Sequence, residues 1–206
     1  VAHATDWFAI VFNPSMPYRL VHMLLASGLT VSFLIAGLSA FRWLRSDRSP
    51  GNRVALKTGT TLAAILIPIQ IYAGDLHGLN TLEHQPMKVA AMEGNWETSR
   101  NVPLLLFAIP DQENQTNRYE VAIPSLASLI LTHEWDGEVP GLNEVAVDEQ
   151  PPVAIVFWSF RVMVGLGMLM ILFGLAGLVL GAGGRYWQTP WFLQGLRFMS
   201  LTPFVA

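Results

Sequence analysis

Two guanidinium groups, an imidazole and a thioether stand inside apolar runs of this chain: Arg19 and His22 near its start, Arg161 and Met163 near its end. An imidazole nitrogen and a thioether sulfur together form an axial set for a low-spin iron porphyrin. The soft sulfur raises the reduction potential, and the closed sixth position keeps oxygen off the metal. Arg19 precedes His22 by three residues, so both lie on one helix face, where the guanidinium could meet a carboxylate of such a group. Arg161 stands two residues before Met163, roughly 200° around a helix, and must reach sideways. A charged residue in a span is costly and points to function. A plainer reading also holds: an intramembrane His bonds between helices, Met beside Met168 and Met170 fills space, and Arg19 snorkels to an interface. No helix register singles out Met163, so spacing alone leaves both readings open.

A second group lies in the polar stretch Gly74–Thr98, GDLHGLNTLEHQPMKVAAMEGNWET. Lys88 and Glu93 are five residues apart, about 140° around a helix, and would border a pocket rather than pair tightly. Glu93 could take a proton from a bound hydroxyl, with Lys88 orienting the head group or tuning the acid; a solvated ion pair is the alternative. Asp75, after Gly74, reads as a proton exit or an interfacial cap. His77 and His84, with Glu83 beside them, match no familiar metal-ligand spacing.

The elements that must position these residues are hydrophobic. Of the 206 residues 52% are hydrophobic and 13% charged, and the net charge of -3 hides a strong polarity. Arg42, Arg45, Arg48, Arg53 and Lys57 crowd one short connection, whereas Asp75–Gln150 holds thirteen acidic residues against three basic ones. A membrane protein with a basic cytoplasmic side has this distribution. Without Cys there are no disulfides, iron–sulfur clusters or thiol nucleophiles, and no basic patch interleaved with aromatics suggests nucleic acid. The first residues, VAHATDW, lack the pattern of a signal peptide. With no initiator Met and an apolar end, the chain reads as an internal piece of a longer polypeptide.

The expected fold is an all-α membrane protein, a transmembrane helix bundle of three complete spans plus a truncated fourth, with a large extracytoplasmic loop. Met16–Trp43 and Val54–Tyr72 are two spans joined by the basic turn (residues 1–74), the second handing the chain outside at Gly74-Asp75. Residues 75–150 form the loop, too long and acidic to be idle connection. Within it Pro86–Trp96 has helical spacing, IPDQENQTN (109–117) reads as a turn, and Val121–Thr132 is an apolar patch too short to span. Residues 151–206 hold a third span to about Leu180, a glycine-rich inner turn, and a helix capped by Thr189-Pro190 that ends before crossing. Spans in lipid must satisfy their backbone internally, and these lack the alternation of barrel strands, so they are helical.

The stretch GDLHGLNTLEHQPMKVAAMEGNWET resembles the start of the quinol loop in subunit I of cytochrome bd-type quinol oxidases, especially the short-loop, cyanide-insensitive branch. The resemblance continues through FAIPDQENQTN, RLVHMLLASG and SFRVMVGLGM and covers nearly the whole chain. It implies that His22 and Met163 ligate a low-spin haem b, that Arg161 lies beside that haem, and that Lys88 and Glu93 serve quinol oxidation. It also implies ubiquinol or menaquinol as substrate, subunit II and a small accessory subunit as partners, and the bacterial inner membrane with a periplasmic loop. The high-spin haem b and haem d, where oxygen is reduced, would sit on helices outside this stretch, leaving it the electron-entry part. The alternative is a helical membrane scaffold or transporter piece whose intramembrane Arg and His pair with each other.

Overall fold

The computed structural model describes residues 6–206. After a short helix α1 (Trp7–Val11), three helices are long and apolar enough to cross a membrane: α2 (Met16–Leu44), α3 (Pro50–His84) and α6 (Val153–Ala182). Between α3 and α6 lie α4 (Pro86–Glu93), β1 (Ser99–Arg100), β2 (Leu104–Asp111), β3 (Thr116–Ile123), α5 (Leu126–Thr132) and β4 (Glu138–Val139). The chain closes with α7 (Pro190–Met199) and a 3-10 turn, Thr202–Phe204. The contacts divide it into two units. One comprises the residues up to Asp75 together with Met163–Ala206, the other Leu76–Val162.

The first unit is a helical bundle with its core confined to one end. Leu29, Phe33, Ala36, Ala40 and Trp43 of α2 pack with Leu56, Ala63 and Ile67 of α3, Met170 of α6, and Phe192, Leu193, Leu196 and Met199 of α7. The α2–α3 crossing depends on small residues. A Cβ at Gly59 would lie 2.7 Å from the amide nitrogen of Ala36 and 2.8 Å from the carbonyl of Ser32, so only glycine allows the two backbones to approach this closely. At the basic turn, the buried Asn52 donates to the carbonyls of Ser39 and Asp47, both at 3.1 Å. Arg42 pairs with Asp47 at 2.7 Å, and Arg48 stacks on Trp43 with 3.9 Å to the ring centre. α7 is the short last helix that the sequence suggests, with Pro190 in its first turn. Thr189 does not cap it through its side chain; the hydroxyl donates back to the Arg185 carbonyl at 2.8 Å.

α3 departs from expectation. It does not release the chain at Gly74-Asp75 but continues to His84. The stretch LNTLEH contains no breaker, and the stop comes at Gln85, whose position before Pro86 disfavours helical backbone. Asp75 is therefore inside a helix and is not a cap at its end. His77 and His84 are two turns apart, about 10.5 Å along the axis and too far to share one ion. No cluster of three or more His, Asp or Glu suited to a metal occurs among the described residues.

The second unit contains the strands, which the sequence reading did not anticipate. β2 and β3 form an antiparallel hairpin turning over residues 112–115, with register shifts on either side of Phe107, while β1 pairs with β4. The turn expected over 109–117 is thus the tip of a hairpin. The apolar patch 121–132 splits between the end of β3 and α5. Gly94 ends α4 with φ +68°, a left-handed conformation that glycine adopts without strain. A Cβ there would press to 3.3 Å from the Phe157 ring. Beyond it the Trp96 indole donates to Asn117 at 2.9 Å, and the Asn117 amide donates to the Gly94 carbonyl at 3.0 Å, fastening the hairpin tip to the end of α4.

Replacing Gly59 with Ala is expected to cost about 1–3 kcal/mol through overpacking, seen as a lower midpoint of thermal unfolding in detergent. Gly51→Ala, with nothing within 4 Å of the added carbon, should change stability by less than about 0.5 kcal/mol.

Candidate functional site

The second unit is organised around a buried ion pair. Glu93, on the last turn of α4, is 5% exposed, and its carboxylate accepts a hydrogen bond from Arg161 Nη2 at 2.8 Å. Arg161 Nε donates to the Leu105 carbonyl on β2 at 2.5 Å, and its guanidinium lies 4.6 Å from the centre of the Phe157 ring. Burial raises the Glu93 pKa above the ordinary carboxylate value, while the charge and hydrogen bond of Arg161 pull it down; burial wins. The result is a carboxyl group that holds its proton more tightly than a solvated glutamate, beside a fixed positive charge. Glu93, Trp96, Leu105, Asn117 and Glu120 help to line a cavity of about 180 Å³.

Lys88 is not part of this arrangement. It is exposed on α4, and Glu93 takes its cation from α6 instead, so the solvated Lys88–Glu93 pair is not formed. Sequence reasoning missed the Glu93–Arg161 contact because the partners are 68 residues apart. The available signal was Arg161 itself, since a guanidinium in an apolar run calls for a partner.

In the first unit His22 is half-buried on α2 and faces α3. Gln70 Nε2 lies 3.2 Å from His22 Nε2 and 3.4 Å from Nδ1. A Cβ at Gly74 would be 3.5 Å from His22 Cε1, so α3 backs the ring without crowding it. Arg19 is exposed one turn outward from His22, and Asp75 is half-buried next to Gly74.

Helical register sets the level of these groups. His22 is seven residues from buried Leu29, Gly74 seven from buried Ile67, and Met163 seven from buried Met170. Seven residues advance about 10.5 Å and fall roughly 20° short of two full turns. Each position therefore repeats, two turns outward, the facing of a core residue on its own helix. Outward of that core layer no residue of 16–28, 68–75 or 163–169 is buried. Gly165 and Gly167, flanking Met163 by two and four residues, have nothing within 4 Å of a would-be Cβ. Nitrogen and sulfur donors on two helices, above a packed apolar floor and beside unfilled glycine positions, fit a flat, iron-bearing macrocycle.

Comparison with known proteins was informative along the whole chain. A family model described as "Cytochrome bd terminal oxidase subunit I" matches residues 1–206. The "Cytochrome bd ubiquinol oxidase subunit 1" of Bacillus subtilis (strain 168) is 30% identical over 215 residues, covering 100% of this chain and 46% of that protein. The "Cytochrome bd-II ubiquinol oxidase subunit 1" of Escherichia coli (strain K12) is 26% identical over 271 residues, 98% of this chain and 52% of that one. Among solved structures, the bd oxidase from Geobacillus thermodenitrificans matches with a TM-score of 0.85 at 30% identity, over 97% of this chain and 46% of that one. The chain thus spans about half the length of the relatives it matches.

The ion pair predicts a pH dependence. Because the folded-state pKa of Glu93 is raised, its contribution to stability is fully present below the unfolded-state pKa and is lost as pH rises through the folded one. Protease resistance of the Leu76–Val162 region should therefore fall with rising pH over that window, and Glu93→Gln should flatten the profile. Arg161→Met, which leaves a buried carboxylate without its cation, should cost about 3–5 kcal/mol once Glu93 is ionised and less when it is protonated.

Proposed function

The chain belongs to the cytochrome bd terminal oxidase subunit I family, and from that premise we propose that it forms the electron-entry part of a membrane-bound quinol:oxygen oxidoreductase. The observation that carries the reading is the buried Glu93–Arg161 pair beside a cavity. Oxidation of a quinol to a quinone releases two protons and two electrons, and a carboxyl group with a raised pKa is a better proton acceptor than a solvated one. Glu93 takes a proton from a quinol hydroxyl, and Arg161 keeps the carboxylate oriented and compensated before it does so. Lys88, exposed on the same helix, acts at the approach as an orienting charge for the head group rather than as a partner of Glu93. Asp75 receives protons on their way out. The substrate is ubiquinol or menaquinol, the quinols that occur in the names of the relatives.

His22 and Met163 would hold a low-spin haem b, which would supply one-electron transfer. Arg19, one turn outward from His22, offers a cation to a propionate. Arg161, which the family resemblance would set beside that haem, has its Nε and Nη2 engaged by Leu105 and Glu93. The high-spin haem b, haem d and the reduction of oxygen belong to the rest of the subunit. Subunit II and a small accessory subunit complete the complex. The basic turn at 42–57 faces the cytoplasm and the loop 75–150 the periplasm of a bacterial inner membrane, in accord with the positive-inside rule.

Two variants of the full complex test this. Met163→Leu is expected to abolish the low-spin b signal in the reduced-minus-oxidised spectrum; an unchanged spectrum sinks the ligand assignment. Glu93→Gln should slow quinol oxidation by roughly 10²–10⁴-fold, the range for loss of general-base catalysis, while an artificial electron donor still reduces the haem. Equal loss with both donors refutes the role of Glu93.

A further inference from the structure

We propose that Gln70 is a positioning residue for His22: its side-chain amide fixes which ring nitrogen carries hydrogen and thereby which one is left to ligate. The inference rests on the reading of His22 as an iron ligand. Gln70 is the one amide in the apolar run Leu62–Gly74, and it is directed at the imidazole, with Nε2 at 3.2 and 3.4 Å from the two ring nitrogens. Its Oε1 is buried with no hydrogen-bond partner among the described residues. An amide in an apolar span is costly unless both ends are used, so this orphaned acceptor calls for a donor.

Ligation supplies one. A neutral imidazole has one N–H and one bare nitrogen. When the bare nitrogen binds a metal, the other is necessarily the N–H, and metal-bound histidines almost always donate it to an acceptor that fixes tautomer and ring orientation. The two ends of an amide are distinguished by their hydrogen bonds, and a half-turn about the last side-chain bond exchanges them. That rotation brings Oε1 to the imidazole as an acceptor for its N–H. Gly74, one turn further along α3, lies against the ring with 3.5 Å from a would-be Cβ to Cε1. Gln70 and Gly74 thus form a seat on one face of α3, the first polar and the second merely close.

The consequence is electronic as well as geometric. An N–H donated to an acceptor makes the imidazole richer in electrons, which favours the oxidised metal and lowers the reduction potential. Removing the acceptor should raise the potential, and a stronger acceptor should lower it. The test is a spectroelectrochemical titration of the low-spin haem in the full complex for the wild type, Gln70→Leu and Gln70→Glu. Expected are opposite shifts, upward for Leu and downward for Glu, each roughly tenfold in the one-electron equilibrium, equivalent to about 59 mV. Unchanged potentials in both variants, or shifts of the same sign, overturn the proposal. If Gln70→Leu loses the haem, Gln70→Glu decides: a lowered potential supports the role, and an unchanged or raised one overturns it. Loss of the haem from both overturns it too, since Glu retains an acceptor. His22→Ala separates the premise: a low-spin spectrum that survives this change refutes haem ligation by His22 whatever the Gln70 variants show.

Discussion

Two opposite charges taken out of water together, Glu93 and Arg161, are the constraint on which the second unit depends. Their side chains are 6% and 9% exposed, so each has lost most of its hydration and neither can be stranded without a penalty of several kcal/mol. The pair therefore dictates position. α4 must end where its carboxylate meets the guanidinium, and β2 must present the Leu105 carbonyl to Arg161 Nε. The Gly94 turn lets the chain leave α4 beneath the Phe157 ring without a clash, and the Trp96–Asn117–Gly94 bonds hold the hairpin tip against that exit. A network this satisfied is rigid, and it holds the Glu93 carboxyl group in one orientation.

The first unit is built on the opposite principle. Its core is apolar, made of small and aromatic residues meeting around Gly59, Phe33 and Phe192, and it occupies only one end of the bundle. Outward of Leu29, Ile67 and Met170, residues 16–28, 68–75 and 163–169 keep this facing but none of them is buried, and polar groups in this zone include Arg19, His22 and Gln70. A packed floor with unpacked walls is uneconomical for a helical bundle alone. It is reasonable for one whose upper half is shaped around a large flat ligand, because helix positions fixed from below need no further apolar contacts above.

Much of the fold was readable in the residues because lipid imposes so strict a rule. Three apolar runs of sufficient length, an arginine-rich turn and an acidic loop follow from hydration costs alone, as does α4 from Pro86 and its apolar spacing. The strands escaped notice because β3 is exposed along nearly all its length and β2 is bulged at Phe107, so neither shows a period of two. α3 was cut short because Gly74-Asp75 resembles punctuation, whereas the helix formers that follow carry the turn onward to Pro86. In the site, His22 and Met163 could be singled out by type, whereas the buried layer is what shows that each repeats the register of a core residue on its own helix. Glu93 could be named from its place on a short helix, but its true partner lay beyond local pattern. Gln70 was passed over, although an amide among isoleucines is as anomalous as a charge.

α3 carries one further consequence. Thirty-five residues make a helix of about 52 Å, against a hydrocarbon layer of roughly 30 Å, so about 20 Å of it stands clear of the acyl chains when it is upright and less when it tilts. In its last turns Asn80 is buried and the Thr81 hydroxyl donates back to the His77 carbonyl. A thinner or thicker bilayer would then be met by leaning of the apolar part of this helix, a freedom that a span of bare minimum length would not have.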